Sequence, residues 1–327
     1  MEYTTRPSDV EKDKIKMEGI MKKVLLIGSL LISSVAFADV DLDSGLGTDL
    51  GYSGFEFSVA ATNISSKNKN FISEKYLMIE KDYLNTLSFL QRDNRDRDKI
   101  LNLQFENING NFTTHKNLSV LLGYSDDLDS RIGMKFTYSF DKLKDNSNKG
   151  NGYSGQLFYH LLQDESAFTA ITYIHSNDYK EGYKSLDYGI MANYEHQIPN
   201  LYFDYIEPSY YINGNVVRID NKVKNEKDLK NTSLSTTAGL KAKNEIEFDD
   251  VTITTIGKVG LEHEFLGKQK YKDTNVSKNS DKDNIVVGLD FDVKFTEVLD
   301  VYANVNLKKS LNGGYSNSST IGFKISL

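Results

Sequence analysis

The chain has 327 residues with no cysteine, no tryptophan and three prolines, so a disulfide framework, a CxxC redox pair and a thiolate zinc site are excluded. A mean hydropathy of −0.46 excludes a bundle of membrane-spanning helices, which needs repeated apolar runs of about 20 residues, while 20 Tyr and 17 Phe are more ring surface than a disordered chain carries. A net charge of −7 with a pI near 5.4 argues against nucleic acid as a partner, and the Tyr/Phe/Asn/Gly-rich, Pro-poor balance leans towards β-structure.

In chain order, residues 1–20 come first, with four Lys/Arg, five Asp/Glu and no apolar period. Met17-Glu18-Gly19-Ile20 must be encoded by a purine-rich run, as a ribosome-binding site would be, so 1–20 reads as an extension ahead of a true start at Met21. Met21-Lys22-Lys23 is then a basic n-region, Val24–Val35 an apolar core, and Ala36-Phe37-Ala38 a small-x-small cleavage site. Residues 21–38 together predict a Sec-type signal peptide, cleaved after Ala38 at the Ala36/Ala38 site. Without residues 1–38 the chain has 33 Lys/Arg against 41 Asp/Glu, a net charge of −8. Export without cysteine suits the bacterial envelope.

Residues 39–72 are expected to be a short passenger-like or linker segment. They hold one alternating patch, Phe55, Phe57, Val59 and Ala61, amid Gly, Ser, Asn and Lys. Asp39, Asp41 and Asp43 resemble the start of a calcium loop, but the glycine comes one place late and position twelve is Leu50. No metal site is expected there. Within 73–98, Ser73 can N-cap an amphipathic helix on which Tyr76, Leu77, Tyr83, Leu84, Leu87 and Leu90 share a face. That helix could plug a lumen or lie on a periplasmic surface.

From residue 99 onwards the period is two. Ile285, Val287, Leu289, Phe291, Val293 and Phe295 alternate with small or charged residues, as do Val301, Ala303, Val305 and Leu307, and then Ile321, Phe323, Ile325 and Leu327. Each segment therefore has one oily and one wet face. Similar segments at 100–108, 118–124, 131–140, 152–162, 167–176, 185–196, 201–219, 234–247 and 251–266 bring the number to about twelve. The 118–124 segment is short and 167–176 alternates poorly. Segments of nine to twelve residues fit a tilted transmembrane strand better than the usual five or six. The spacers alternate between six residues or fewer and 7 to 17, as in outer-membrane barrels with short periplasmic turns and long external loops. The expectation is an all-β membrane protein, an antiparallel up-and-down barrel of about twelve strands over 99–327 with a short helix ahead of it. Such a sheet must close, because the bilayer offers nothing to an open edge.

The stretches Ile206-Glu207-Pro208-Ser209-Tyr210-Tyr211, Gly260-Leu261-Glu262-His263-Glu264-Phe265, Val287-Gly288-Leu289-Asp290-Phe291 and Gly322-Phe323-Lys324-Ile325-Ser326-Leu327 resemble the C-terminal translocator barrel of the autotransporters (type V secretion). The resemblance covers about residues 100–327. It implies an outer-membrane barrel, in a Gram-negative-type bacterium, that anchors and can export or display a very short N-terminal segment. It also implies a lumen-threading helix and a last strand, marked by Ile321, Phe323, Ile325 and Leu327, that the barrel-assembly machinery recognises. That family usually ends in an aromatic residue and carries a passenger of hundreds of residues; here the ends are Leu327 and a segment of thirty-four residues. A stand-alone pore with Lys/Asn-rich surface loops is the alternative.

Candidate lumen-facing polar residues are Glu207, Lys241, Lys243, Glu262, Glu264, Asp290, Asp292 and Lys294, with Glu207 singled out to orient the helix or its linker. The five histidines form no HExxH or i,i+4 pair. His175 with Asp178, or His196 with Glu195, could be pictured as the pair of a rim hydrolase; no enzyme activity and no cofactor are expected. The implied partners are outer-membrane lipids, periplasmic chaperones and the assembly machinery, and the barrel is expected to be monomeric.

Overall fold

The computed structural model describes residues 54–65, 71–91, 99–125, 129–144, 149–180, 182–198, 206–223, 229–248, 251–266, 282–295, 299–311 and 313–326. In chain order these form β1 (Gly54–Ser65), α1 (Phe71–Gln91), β2 (Lys99–Asn109), β3 (Thr113–Ser125), β4 (Ser130–Leu143), β5 (Lys149–Gln163) and β6 (Ser166–Tyr179). There follow β7 (Tyr183–Gln197), β8 (Glu207–Val223), β9 (Leu229–Phe248), β10 (Val251–Glu264), β11 (Asp283–Lys294), β12 (Leu299–Ser310) and β13 (Tyr315–Ser326). The signal-peptide and cleavage residues Ala36 and Ala38, the acidic run from Asp39 and the terminal Leu327 lie outside the described residues.

The thirteen strands close into one barrel in which each is hydrogen-bonded to its neighbour in sequence, and β1 joins β13 to β2. A closed barrel with one short helix matches the sequence reading; the count of about twelve, the start of the barrel after the helix and the wholly antiparallel pairing do not. The extra strand is the patch around Phe57, assigned above to a linker. Its outward face fades from Phe55, Phe57 and Val59 to Ala61 and Asn63, so its alternation looks shorter than the strand is. β1 is antiparallel to β13 over twelve residues and parallel to β2 over nine. Parallel neighbours need a crossover of a dozen or more residues. Here the crossover is α1, whose 21 residues reach about 30 Å at ~1.5 Å per residue, enough to return along the lumen in one pass.

The two ends of the barrel differ. At one end β3–β4, β5–β6 and β9–β10 follow one another after at most four residues, and Ser125, Gln163 and Phe248 sit opposite or nearly opposite the first residues of the next strand. At the other, hairpins carry charge on their outward face: Lys142, Lys184, Lys222 and Lys230 are exposed, and Lys184 pairs with Asp178 at 2.6 Å. Several of the expected long spacers are thus partly zipped into ladder. The strands run on past their oily stretch, as hairpins projecting from a membrane would. We call these the turn end and the hairpin end.

Inward and outward positions alternate. Ile132, Phe136, Leu157, Ile174, Leu261 and Leu289 are large, apolar and between 53% and 67% exposed on the outside. A belt this continuous is an interaction surface and not a water-facing one. Aromatics flank it: Tyr124, Tyr159, Phe168, Tyr194 and Tyr210 towards the turn end, and Phe140, Tyr153 and Tyr315 towards the hairpin end. Paired girdles of this kind mark the two interfaces of an outer-membrane barrel.

Candidate functional site in the barrel lumen

α1 occupies the lumen, which decides between the two sites open to it. It starts at Phe71, so Ser73 falls in the first turn and is not the residue ahead of it. Most helical stability in proteins comes from tertiary packing and not from propensity, and here the surrounding strands hold α1 on several sides. Glu74 accepts hydrogen bonds from the Phe112 and Thr113 amides (2.9 and 3.0 Å) and from the Thr113 hydroxyl (2.6 Å). This ties the start of α1 to the β2–β3 turn. Gly110 is the price of that approach, because a Cβ there would overlap the Glu74 carboxylate.

Further along, Lys75 reaches Asp187 on β7 at 2.9 Å and also bonds Ser185. Asp82 accepts from Lys135 on β4 and Gln156 on β5, both at 2.5 Å. Asn85 donates to Glu106 on β2 at 2.6 Å, and Glu80 meets Lys308 on β12 at 2.6 Å. Lys308 also pairs with Glu262 on β10 at 2.6 Å. These are charge-assisted bonds between buried groups, and losing one partner would strand the other. The remaining face of α1, Ile79, Tyr83, Leu87 and Leu90, packs on Phe158, Ile171, Tyr173, Met191, Val217 and Ile219. Tyr83 is fully buried and meets the Tyr173 ring edge-on at 5.3 Å.

That apolar wall was missed in the sequence, although its trace was there. Ile171 and Tyr173 occupy inward positions of β6, and Leu121 an inward position of β3; these are the two segments whose alternation was poor or short. The period broke where the lumen turns oily to receive the helix.

Below the last turn of α1 the lumen opens at the turn end into a vestibule of about 360 Å³. Glu207, Lys241, Lys243, Asp290, Asp292 and Lys294 all line it. Lys241 holds Glu195 at 2.8 and 2.9 Å, and Glu195 also accepts from Gln91 at the end of α1 (3.1 Å). Glu195 therefore touches the helix, whereas Glu207 faces Lys243 on the neighbouring strand at 3.9 Å. Glu262 lies deeper, in the Lys308 pair, and Glu264 is near the hairpin end, bonded to the Leu234 amide at 2.9 Å and to the Ser233 hydroxyl. These carboxylates thus lie at different depths along the lumen, an order that strand alternation does not encode.

The histidine pairings imagined for a hydrolase are not formed. His175 is buried beside Asp187 at 3.2 Å, and Asp178 lies on the other face with Lys184. His196 sits outside between Tyr194 and Tyr210, with ring centroids at 6.3 and 5.5 Å, while Glu195 points inward. Adjacent strand residues face opposite ways. Among the described residues no three or more His, Asp or Glu groups are placed to hold a metal ion.

A closed barrel with a lipid-facing belt and a helix threaded through its lumen defines a class, the translocator-type outer-membrane barrel. The family model of the autotransporter β-domain matches residues 106–306, and the chain belongs to that family. Among solved structures it is similar to the translocator domain of the autotransporter NalP from Neisseria meningitidis, with a TM-score of 0.52 and 14% identity over 78% of this chain and 97% of that one. The β-domain of the Bordetella autotransporter BrkA aligns at a TM-score of 0.48 and 13% identity, covering 66% and 91%. The transport unit of AIDA-I from Escherichia coli aligns at 0.43 and 13%, covering 66% and 84%. No curated protein matches the chain in sequence.

Proposed function

We propose that this outer-membrane autotransporter barrel works as a self-plugged membrane anchor and not as an open pore or an enzyme. The observation that carries the reading is α1, held in the lumen by Lys75–Asp187, Asp82–Lys135 and Glu80–Lys308 and by the Tyr83 packing. A porin-like role needs a continuous aqueous path, and a hydrolase needs its acid–base pair within reach of one another. The purified protein in planar bilayers should give no steady porin-like conductance. A stable open channel in most insertions would sink the reading.

The route to the membrane follows from the same proposal. The signal peptide of residues 21–38 directs Sec export, with cleavage at Ala36-Phe37-Ala38. Periplasmic chaperones then shield the alternating strands, and the assembly machinery engages β13. Ile321 and Phe323 alternate with Thr320, Gly322 and Lys324 there, so the strand offers a lipid face to recognition. The barrel functions as a monomer in lipid, closed on itself with no free edge to share.

A further inference from the structure

β1 fixes the side of the membrane on which the chain leaves the barrel. Gly54 opposes Ser326 and Ser65 opposes Tyr315, so the first residue of β1 lies beside the end of the last strand, at the turn end. Ser65, opposite Tyr315, and the start of α1, tied through Glu74 to the β2–β3 turn, both lie at the hairpin end, and α1 then descends the lumen towards the start of β2. Without β1, the chain ahead of α1 would emerge where the hairpins project. With it, the chain is turned back.

We propose that the chain enters β1 from the periplasmic side, so that the mature segment ahead of Gly54 is retained there. The barrel then presents its N-terminal region to the periplasm, and of the chain ahead of β2 only the crossover at residues 66–70 reaches the outside. The proposal rests on the outer-membrane reading, which makes the turn end periplasmic. β1 is built as wall, not as chain in transit. Glu56, Ser58 and Thr62 are buried on its inner face, while Phe55 and Phe57 pack outside on Phe323, with ring centroids at 6.5 and 5.4 Å. Threading β1 outward would unzip its ladders to both β13 and β2, where no water replaces the lost bonds.

The chain lacks cysteine, so single-cysteine variants report the side of each segment directly. Gly45→Cys, Asn68→Cys, Asp249→Cys and Asn275→Cys would be treated on intact cells with a membrane-impermeant maleimide. Asn68→Cys and Asn275→Cys should react. Gly45→Cys and Asp249→Cys should stay at the level of the cysteine-free chain until the outer membrane is permeabilised. Reaction of Gly45→Cys on intact cells as fast as Asn275→Cys overturns the proposal and leaves the outer-membrane reading standing. Reaction of Asp249→Cys with Asn275→Cys silent inverts the barrel and overturns both. Oxidative cross-linking tests the seam separately. Ala61→Cys with Ser319→Cys, directly opposed across β1 and β13, should form a disulfide. Asn107→Cys with Ser319→Cys is separated by β1, about 10 Å at two strand spacings, and should stay reduced; the reverse pattern removes β1 from the seam and the proposal with it.

Discussion

Leu289 and Asp290 are neighbours on β11 that look into different solvents. Leu289 is 53% exposed on the belt, and Asp290 lines the vestibule. Leu289→Arg should cost about 2–4 kcal/mol if it sits near the bilayer midplane, while Asp290→Arg should assemble as the parent does. Heat-modifiable gel mobility checks both, and equal folded fractions would contradict the assignment of faces. The same alternation explains why Glu195 and His196, adjacent in sequence, share no chemistry: one reaches Lys241 in the lumen and the other a girdle of tyrosines. On a strand that alternates as cleanly as β11, a residue's face could be read from the pattern. Its partner could not, because partners such as Lys308 and Glu80 are 228 positions apart.

At the scale of elements, α1 is the one whose place is set by everything around it. Its sequence predicts an amphipathic helix, and that pattern fits a lumen or a periplasmic surface equally well. The buried Asp82–Lys135 pair at 2.5 Å belongs only to the lumen. Lys135→Met should strand the Asp82 carboxylate and destabilise the barrel by about 3–5 kcal/mol. Adding Asp82→Leu should recover most of that loss, since two apolar groups leave no charge unpaired. The temperature at which the folded gel band disappears measures both; a double variant no better than the single would deny the pair its role. The inward apolar residues of β3 and β6 teach the same lesson from the wall's side. A strand that alternates poorly was signalling a second packing surface, and periodicity alone cannot name the element that covers it.

For the whole molecule, closure is made at β13, which pairs with β12 on one side and β1 on the other, and the proposed route makes the same strand the one the assembly machinery engages. Restoring an aromatic end with Leu327→Phe should leave the assembled fraction unchanged or raise it, measured by outer-membrane yield, and a clear loss would separate this chain's signal from the family's. Strand character, the two faces, the charged hairpins and a closed sheet were all set by the sequence itself, because alternation and the absence of water in a bilayer are local demands on each strand. Tertiary structure alone decided that β1 enters the seam and that α1 fills the lumen. Both depend on pairings between residues far apart in the chain, Gly54 with Ser326 and Lys75 with Asp187, and a local period carries no record of which distant edge or wall it will meet.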